Sequence, residues 1–146
     1  MRMLVALALI LFTLTTLASE PNSYIAGENA YKNGNYAAAL ADFANSARAG
    51  YPPAQNNLGV IYAHHLGVAQ NMAVAIKWFR ASAHQGYAPA EKNLGVIYYK
   101  GHSIARNYAE AMVWFRLAAR QGFAPAQADL GLMFAEARGT TRDYAK

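Results

Sequence analysis

The chain repeats itself with a period of 36 residues, and this periodicity limits the folds it can adopt more than any other feature. Several independent series share the period: Gly50, Gly86 and Gly122; Pro53, Pro89 and Pro125; the Leu-Gly pairs at 58–59, 94–95 and 130–131; the Trp-Phe-Arg runs at 78–80 and 114–116; and Asn35, Asn71, Asn107 and Asp143. A period of this size is typical of stacked copies of one supersecondary unit, each burying an apolar face against its neighbours.

The recurring residues predict two helices in each unit. Asparagine and aspartate cap helix N-termini, glycine ends helices in the left-handed conformation, and proline suits the first turn of the next helix. We therefore predict a helix A at about 53–64, 89–100 and 125–137, and a helix B at about 72–85 and 108–121. Residues 35–50 match helix B, with a shorter loop after a preceding helix at about 23–32. The predicted fold is all-α.

Two Trp-Phe pairs lie within the predicted B helices, at 78–79 and 114–115. An aromatic binding box is one interpretation of them. Their helical spacing inside a repeat favours a packing role instead. We expect Trp78 and Trp114 to be largely buried between repeats.

The first full copy carries Ala54, Leu58, Gly59, Tyr62, Gly67, Val68, Asn71, Ala75, Trp78, Ala83 and Gly86. This pattern resembles the Sel-one-like repeat, a relative of the tetratricopeptide repeat. The resemblance implies a right-handed α-α superhelical solenoid, with a tetratricopeptide-like repeat at 24–52, full repeats at 53–88 and 89–124, and an incomplete repeat at 125–146. The family's loop between helices A and B usually has two glycines, and one is replaced here in each copy, by His65, Ser103 and Ala137.

The N-terminus has the pattern of a secretory signal. Arg2 precedes an apolar stretch at 4–14, which is short for a membrane span, and Thr16-Leu17-Ala18 offers small residues for cleavage. We predict a signal peptide at 1–18, a repeat domain at 19–146 without a stable membrane span, and a periplasmic or secreted location. An uncleaved signal anchor is the alternative.

Composition excludes several classes of function. The 146 residues include no cysteine, which excludes disulfides, thiolate metal sites and a cysteine nucleophile. The net charge of +5 is not gathered into a basic cluster, so no nucleic-acid partner is predicted. An acidic peptide or an anionic envelope polymer fits the charge better.

No constellation of residues predicts catalysis or metal binding. The four histidines are His64, His65, His84 and His102, and none of their spacings places two ligands on one helix face. Serine-nucleophile motifs and Gly-rich phosphate loops do not occur. Some cysteine-rich secreted members of the resembling family have been linked with penicillin binding or β-lactamase activity, but this chain lacks their cysteines. We therefore predict a non-enzymatic protein without a catalytic, cofactor or metal site.

The tetratricopeptide layout implies an inward, concave face made by the A helices. Its candidate partner-binding residues are Lys32, Asn56, His64, Lys92, Tyr99, Lys100 and Glu136. Cationic heads, amides and an aromatic ring suit an extended peptide with carboxylates. The predicted function is a protein-interaction scaffold or regulator in the bacterial cell envelope. An ordinary mixed helix surface and a cell-wall-associated hydrolase are the alternatives.

The last repeat is expected to expose apolar surface. Its helix A brings Leu130, Met133 and Phe134, whereas the sequence stops at Lys146, at the opening of its helix B. We expect an apolar strip here, with residues 140–146 loosely ordered. Such a strip indicates either self-association through the incomplete repeat or a truncated protein without independent function.

Overall fold

The computed structural model describes residues 22–136 and 138–139, and every regular element among them is an α-helix. The helices are α1 (22–32), α2 (Tyr36–Arg48), α3 (Pro52–Ala63), α4 (Met72–Ala83), α5 (Ala88–Lys100), α6 (Tyr108–Arg120) and α7 (Ala124–Ala135). Helices α1, α3, α5 and α7 are the A helices, and α2, α4 and α6 are the B helices. The predicted all-α helical-repeat fold is confirmed, and the helix ends lie within two residues of their predicted positions.

The asparagine series caps the B helices as predicted. The side chains of Asn35, Asn71 and Asn107 each accept a hydrogen bond from the backbone N–H three residues later, at 3.3, 3.1 and 3.0 Å. Each bond satisfies an N–H that has no partner within its helix. Asp143, the fourth member of the series, lies outside the described residues.

The glycine series ends the same three helices. Gly50, Gly86 and Gly122 have φ angles of +95°, +77° and +80°, which glycine adopts without a Cβ clash. Prolines follow within the first two positions of α3, α5 and α7. Each B helix is therefore joined to the next A helix by a tight turn of three residues.

The chain divides into two compact units, unit 1 up to Gln70 and unit 2 from Asn71. In unit 1, α2 packs against α1 and α3. Phe43 is the centre of this packing at 1% exposure, and its ring approaches α1 at Gly27, where an added Cβ would lie 2.7 Å from it. Leu58 and Ile61 of α3 complete the described core.

In unit 2, α5 packs against α4 and α6, and α6 packs against α7. The core between α5, α6 and α7 contains buried Met112, Phe115 and Met133. Phe115 repeats the arrangement of unit 1, because an added Cβ at Gly95 of α5 would lie 2.5 Å from its ring. The close approach of helices A and B thus depends on glycine in both places.

The two tryptophans are half-buried, and the expectation that they are largely buried was wrong. The Trp114 indole N–H donates a 3.0 Å hydrogen bond to Glu110, and the ring meets His84 edge-on with centroids 6.2 Å apart. An indole needs a partner for its N–H, and this one finds it at the helix surface.

The expected apolar strip is present on α7, where Leu132 and Phe134 are each 50% exposed. The predicted order of residues 140–146 and the predicted signal peptide at 1–18 both fall outside the described residues. None of the described helices is long and apolar enough to cross a membrane.

Candidate functional site

Three of the predicted partner-binding residues lie in unit 1. Lys32 at the end of α1 and His64 at the end of α3 are exposed. Lys32 borders a groove of about 290 Å³ whose other lining residues include Glu28, Tyr31, Asn57 and Val60. Asn56, in contrast, is only 7% exposed, so its amide is not available to a partner in this conformation.

The other four predicted residues lie in unit 2, and three of them join α5 to α7. Lys92 of α5 forms an ion pair with Asp129 of α7 at 3.8 Å. The Tyr99 hydroxyl of α5 donates a 2.8 Å hydrogen bond to the Glu136 carboxylate at the end of α7. Both pairs are 37 residues apart, which shows that these two A helices lie side by side. Lys92 therefore has an internal partner, while Lys100 is exposed at the C-terminus of α5.

Tyr99 and Glu136 belong to a larger group of side chains, the tyrosine–arginine cluster, which also contains Tyr108 and Arg138. The Arg138 guanidinium donates to the hydroxyls of Tyr99 and Tyr108 at 3.1 and 2.8 Å, and its Nε lies 2.9 Å from the Glu136 carboxylate. It also stands over both rings, 5.4 and 5.1 Å from their centroids. The cluster fixes three elements, α5, α6 and the turn after α7, against one another.

The cluster shifts one titration. The hydrogen bond to the Glu136 carboxylate, followed by desolvation, raises the pKa of the Tyr99 hydroxyl above its usual value. Tyr99 therefore stays neutral at physiological pH and presents a partly buried ring with a fixed hydroxyl. Arg106 extends the group, because its guanidinium lies 5.4 Å from the Tyr108 ring centroid.

Sequence reasoning missed Tyr108, Asp129 and Arg138 as members of this surface. A signal for two of them exists in the repeat itself. Arg138 stands where the earlier repeats have Leu66 and His102, and Asp129 stands where they have asparagine. A change of charge at a fixed position of a repeat is the clue that a local partner has appeared.

One acidic side chain is buried in unit 2. Glu91 of α5 is 3% exposed and accepts a 2.8 Å hydrogen bond from the Gln121 side chain. Desolvation raises the pKa of Glu91, although the bond from Gln121 opposes this. The same repeat position carries Gln55 and Gln127, whose amides each donate a 3.2 Å bond to a carbonyl of the preceding B helix. This position therefore has a packing role in the repeat.

No group of three or more histidine, aspartate or glutamate side chains within the described part of the chain could hold a metal ion. The histidines occupy unrelated positions there. His65 has a positive φ of 58° in the loop after α3, and His84 meets Trp114.

A second surface of unit 2 lies between α6 and α7 and is named here the α6/α7 groove. It has a volume of about 490 Å³, and it is lined by Arg116, Ala119, Arg120, Gln127, Leu130, Gly131 and Phe134. The Arg116 guanidinium lies 5.7 Å from the Phe134 ring centroid. An added Cβ at Gly131 would meet nothing within 4 Å.

Known proteins share both the repeat and the fold. The family model described as Sel1 repeat matches residues 52–87, 88–123 and 124–146. A crystal structure of a Sel1 repeat protein from Oxalobacter formigenes is 36% identical with a TM-score of 0.76, and the match covers 83% of this chain and 50% of that one. The c5321 protein, a protective antigen of uropathogenic Escherichia coli with an SLR fold, is 34% identical with a TM-score of 0.78, over 87% of this chain and 28% of that one.

The chain thus spans half or less of the length of these two solved structures. No curated protein matches it. The three consecutive matches to the repeat model nevertheless cover most of the sequence, in register with the helix pairs described above. The chain belongs to the Sel1 repeat family.

Proposed function

We propose that this chain is a non-catalytic interaction scaffold of the bacterial cell envelope that binds an acidic peptide segment on the A-helix surface of unit 2. Sel1 repeat proteins are typically protein-interaction scaffolds and are generally non-catalytic. The proposed surface consists of the tyrosine–arginine cluster with Lys100 and Arg106 beside it.

The observation that carries the proposal is the combination of a fixed aromatic platform with a cationic surplus. Arg138 is matched by Glu136 at 2.9 Å, whereas Lys100 and Arg106 are exposed beside the two tyrosine rings. Cationic heads next to rigid aromatic rings complement a peptide that carries carboxylates. Lys92 is left out of this surface because Asp129 already pairs with it.

A peptide selection tests the proposal. Random peptides displayed on phage are selected against the wild-type chain, and enriched sequences are measured by fluorescence anisotropy. We expect enrichment of aspartate and glutamate, weaker binding with added salt, and at least a several-fold loss of affinity in Lys100→Glu. Lys77→Glu is the matched control, because Lys77 is an exposed lysine on the B helix α4.

Two outcomes contradict the proposal. One is enrichment of peptides without acidic residues. The other is an affinity that Lys77→Glu lowers as much as Lys100→Glu does, which would show that overall charge, and not this surface, determines binding. The cell-wall hydrolase interpretation has no supporting observation among the described residues.

A further inference from the structure

The α6/α7 groove is a copy, one repeat later, of a site that α6 itself fills. Subtracting 36 from its lining residues gives Arg80, Ala83, His84, Glu91, Leu94, Gly95 and Tyr98. The walls of the two sites correspond. Arg80 donates a 2.8 Å hydrogen bond to Tyr98 in the earlier site, and Arg116 stands 5.7 Å from the Phe134 ring centroid in the later one.

The occupant of the earlier site defines what such a groove accepts. Helix α6 places the Phe115 ring on Gly95, so close that an added Cβ would lie 2.5 Å from it. Its neighbour Trp114 lies edge-on to His84. Gln121, just beyond α6, donates to Glu91 at 2.8 Å. An amphipathic helix with adjacent Trp and Phe side chains therefore fits this shape at three separate points.

The later site is open in the described part of the chain. Nothing lies within 4 Å of a Cβ added at Gly131, and Phe134 is 50% exposed. A second copy in this conformation has no B helix to offer, because Phe43, Phe79 and Phe115 of its B helices are 1%, 3% and 2% exposed. The occupant must then come from another protein.

Charge separates the two sites. The earlier one contains Arg80, His84 and the carboxyl group of Glu91, whereas Arg116, Arg120 and Gln127 stand at the same positions in the later one. The groove has thus gained a permanent cation and lost an acid. Arg120 replaces the histidine that meets Trp114, and a guanidinium attracts an aromatic face as well as a carboxylate.

We propose that the α6/α7 groove binds an amphipathic helix of a partner protein, with a Trp-Phe pair on Gly131 and Arg120 and carboxylates facing Arg116 and Arg120. Recognition is of the helix-in-groove kind, in which buried aromatic anchors carry most of the affinity. The groove is separate from the A-helix surface and takes a helix, not an extended peptide. The inference therefore does not depend on the proposed function.

The native occupant of the earlier site supplies the probe. A synthetic peptide of residues 107–122 is made with Arg116→Glu and Arg120→Glu, which gives it the acidic face. Its binding to the full chain is measured by isothermal titration calorimetry. We expect saturable binding, a loss of at least ~10-fold when the peptide carries Trp114→Ala and Phe115→Ala as well, and weaker binding of the unaltered basic peptide.

Variants of the protein locate the binding. Gly131→Leu fills the notch and should lower affinity for the acidic peptide by at least ~10-fold. Ala128→Leu, an exposed position on the same helix outside the groove lining, should leave it unchanged. Arg116→Glu with Arg120→Glu in the protein should reverse the preference, so that the basic peptide binds better. Far-UV circular dichroism confirms that each variant is folded.

Three results overturn the proposal. The first is no binding of the acidic peptide at millimolar concentration, as expected if residues 140–146 fill the groove. The second is binding that Gly131→Leu does not weaken, which would indicate displacement of α6 from its own site. The third is a dimer in sedimentation velocity that Gly131→Leu dissociates, which would make a second copy the occupant.

Discussion

His65 has the left-handed backbone that glycine adopts at the same loop position of the next repeat. Its φ is +58°, and Gly101, 36 residues later, has a φ of +66°. A side chain pays a steric cost in this region because its Cβ approaches the following carbonyl oxygen. The resemblance had marked His65 as a replacement for a family glycine, and the structure shows that the replacement kept the glycine conformation.

We therefore expect His65→Gly to stabilise the chain. Relief of the left-handed strain outweighs the greater freedom of glycine in the unfolded state, for a net gain of about 0.5–1 kcal/mol in the free energy of unfolding. Urea denaturation followed by circular dichroism measures it. His64→Gly is the control, since the φ of −106° at His64 suits any residue and glycine should bring no gain there. Equal effects in the two variants would contradict the strain argument.

Glu91 predicts a pH-dependent stability. Burial raises the pKa of this carboxyl group above its ordinary value of 4.5, so the folded state binds the proton more tightly than the unfolded state. Stability is then highest below about pH 4.5, and the contribution of Glu91 becomes unfavourable as pH rises through the raised pKa. Glutamine at this position keeps the packing and removes the titration, as Gln55 and Gln127 do.

We expect Glu91→Gln to raise the free energy of unfolding at pH 7 by about 1 kcal/mol and to have a smaller effect near pH 4. Thermal melts at a series of pH values measure the difference between variant and wild type. Glu110→Gln is the control, because Glu110 is a partly exposed acid in the neighbouring helix α6. A difference that stays constant with pH would show that Glu91 does not titrate in this range.

The residues that were predictable from sequence are those whose role is local. Asn71 caps the helix that follows it, and Gly86 ends that helix, so a short stretch of sequence determines both. Tyr99 and Glu136 were both placed on the A-helix surface, but their mutual hydrogen bond depends on α5 and α7 lying side by side. Burial of Glu91 likewise depends on a glutamine 30 residues away. Contacts of that kind have no signature in a single sequence.

At the scale of the helix, the same repeat position has opposite packing in α5 and α7. Gly95 lies against Phe115, whereas Gly131, 36 residues later, borders the open α6/α7 groove. The periodicity predicted that glycine allows a close helix approach, and this is correct where a B helix is described beside it. The sequence pattern is identical at the two positions, so only the structure distinguishes them.

This contrast gives a matched pair of variants. Gly95→Ala should lower the free energy of unfolding by about 1–3 kcal/mol, because its methyl group would overlap the Phe115 ring. Gly131→Ala should raise it by about 0.5–1 kcal/mol, because alanine is the better helix former and nothing lies within 4 Å of the new methyl group. Chemical denaturation of both variants beside the wild type measures the two changes. A loss of stability in Gly131→Ala would show that the groove is filled in solution.

At the scale of the whole chain, the repeat domain and the N-terminal segment have different compositions and different predicted fates. Unit 1 is described from residue 22, and residues 1–21 fall outside the description. The segment before the repeats has one charged residue among its first 18, Arg2, followed by an apolar run. Its interpretation as a signal peptide therefore remains a prediction from sequence, and the proposed envelope location depends on it.

Export is expected to produce a chain that begins at Ser19. Signal peptidases require small side chains at the −1 and −3 positions, which Ala18 and Thr16 provide. The chain is expressed in a bacterium with a C-terminal tag, cells are fractionated, and the intact mass of the protein in the envelope fraction is measured. Ala18→Leu should block cleavage and leave the full-length chain at the membrane. Ala6→Leu, which keeps the apolar run intact, should be processed like the wild type. Recovery of the wild-type chain with Met1–Ala18 still attached to the membrane would establish the signal-anchor alternative, and recovery of the uncleaved chain in the cytosol would contradict both.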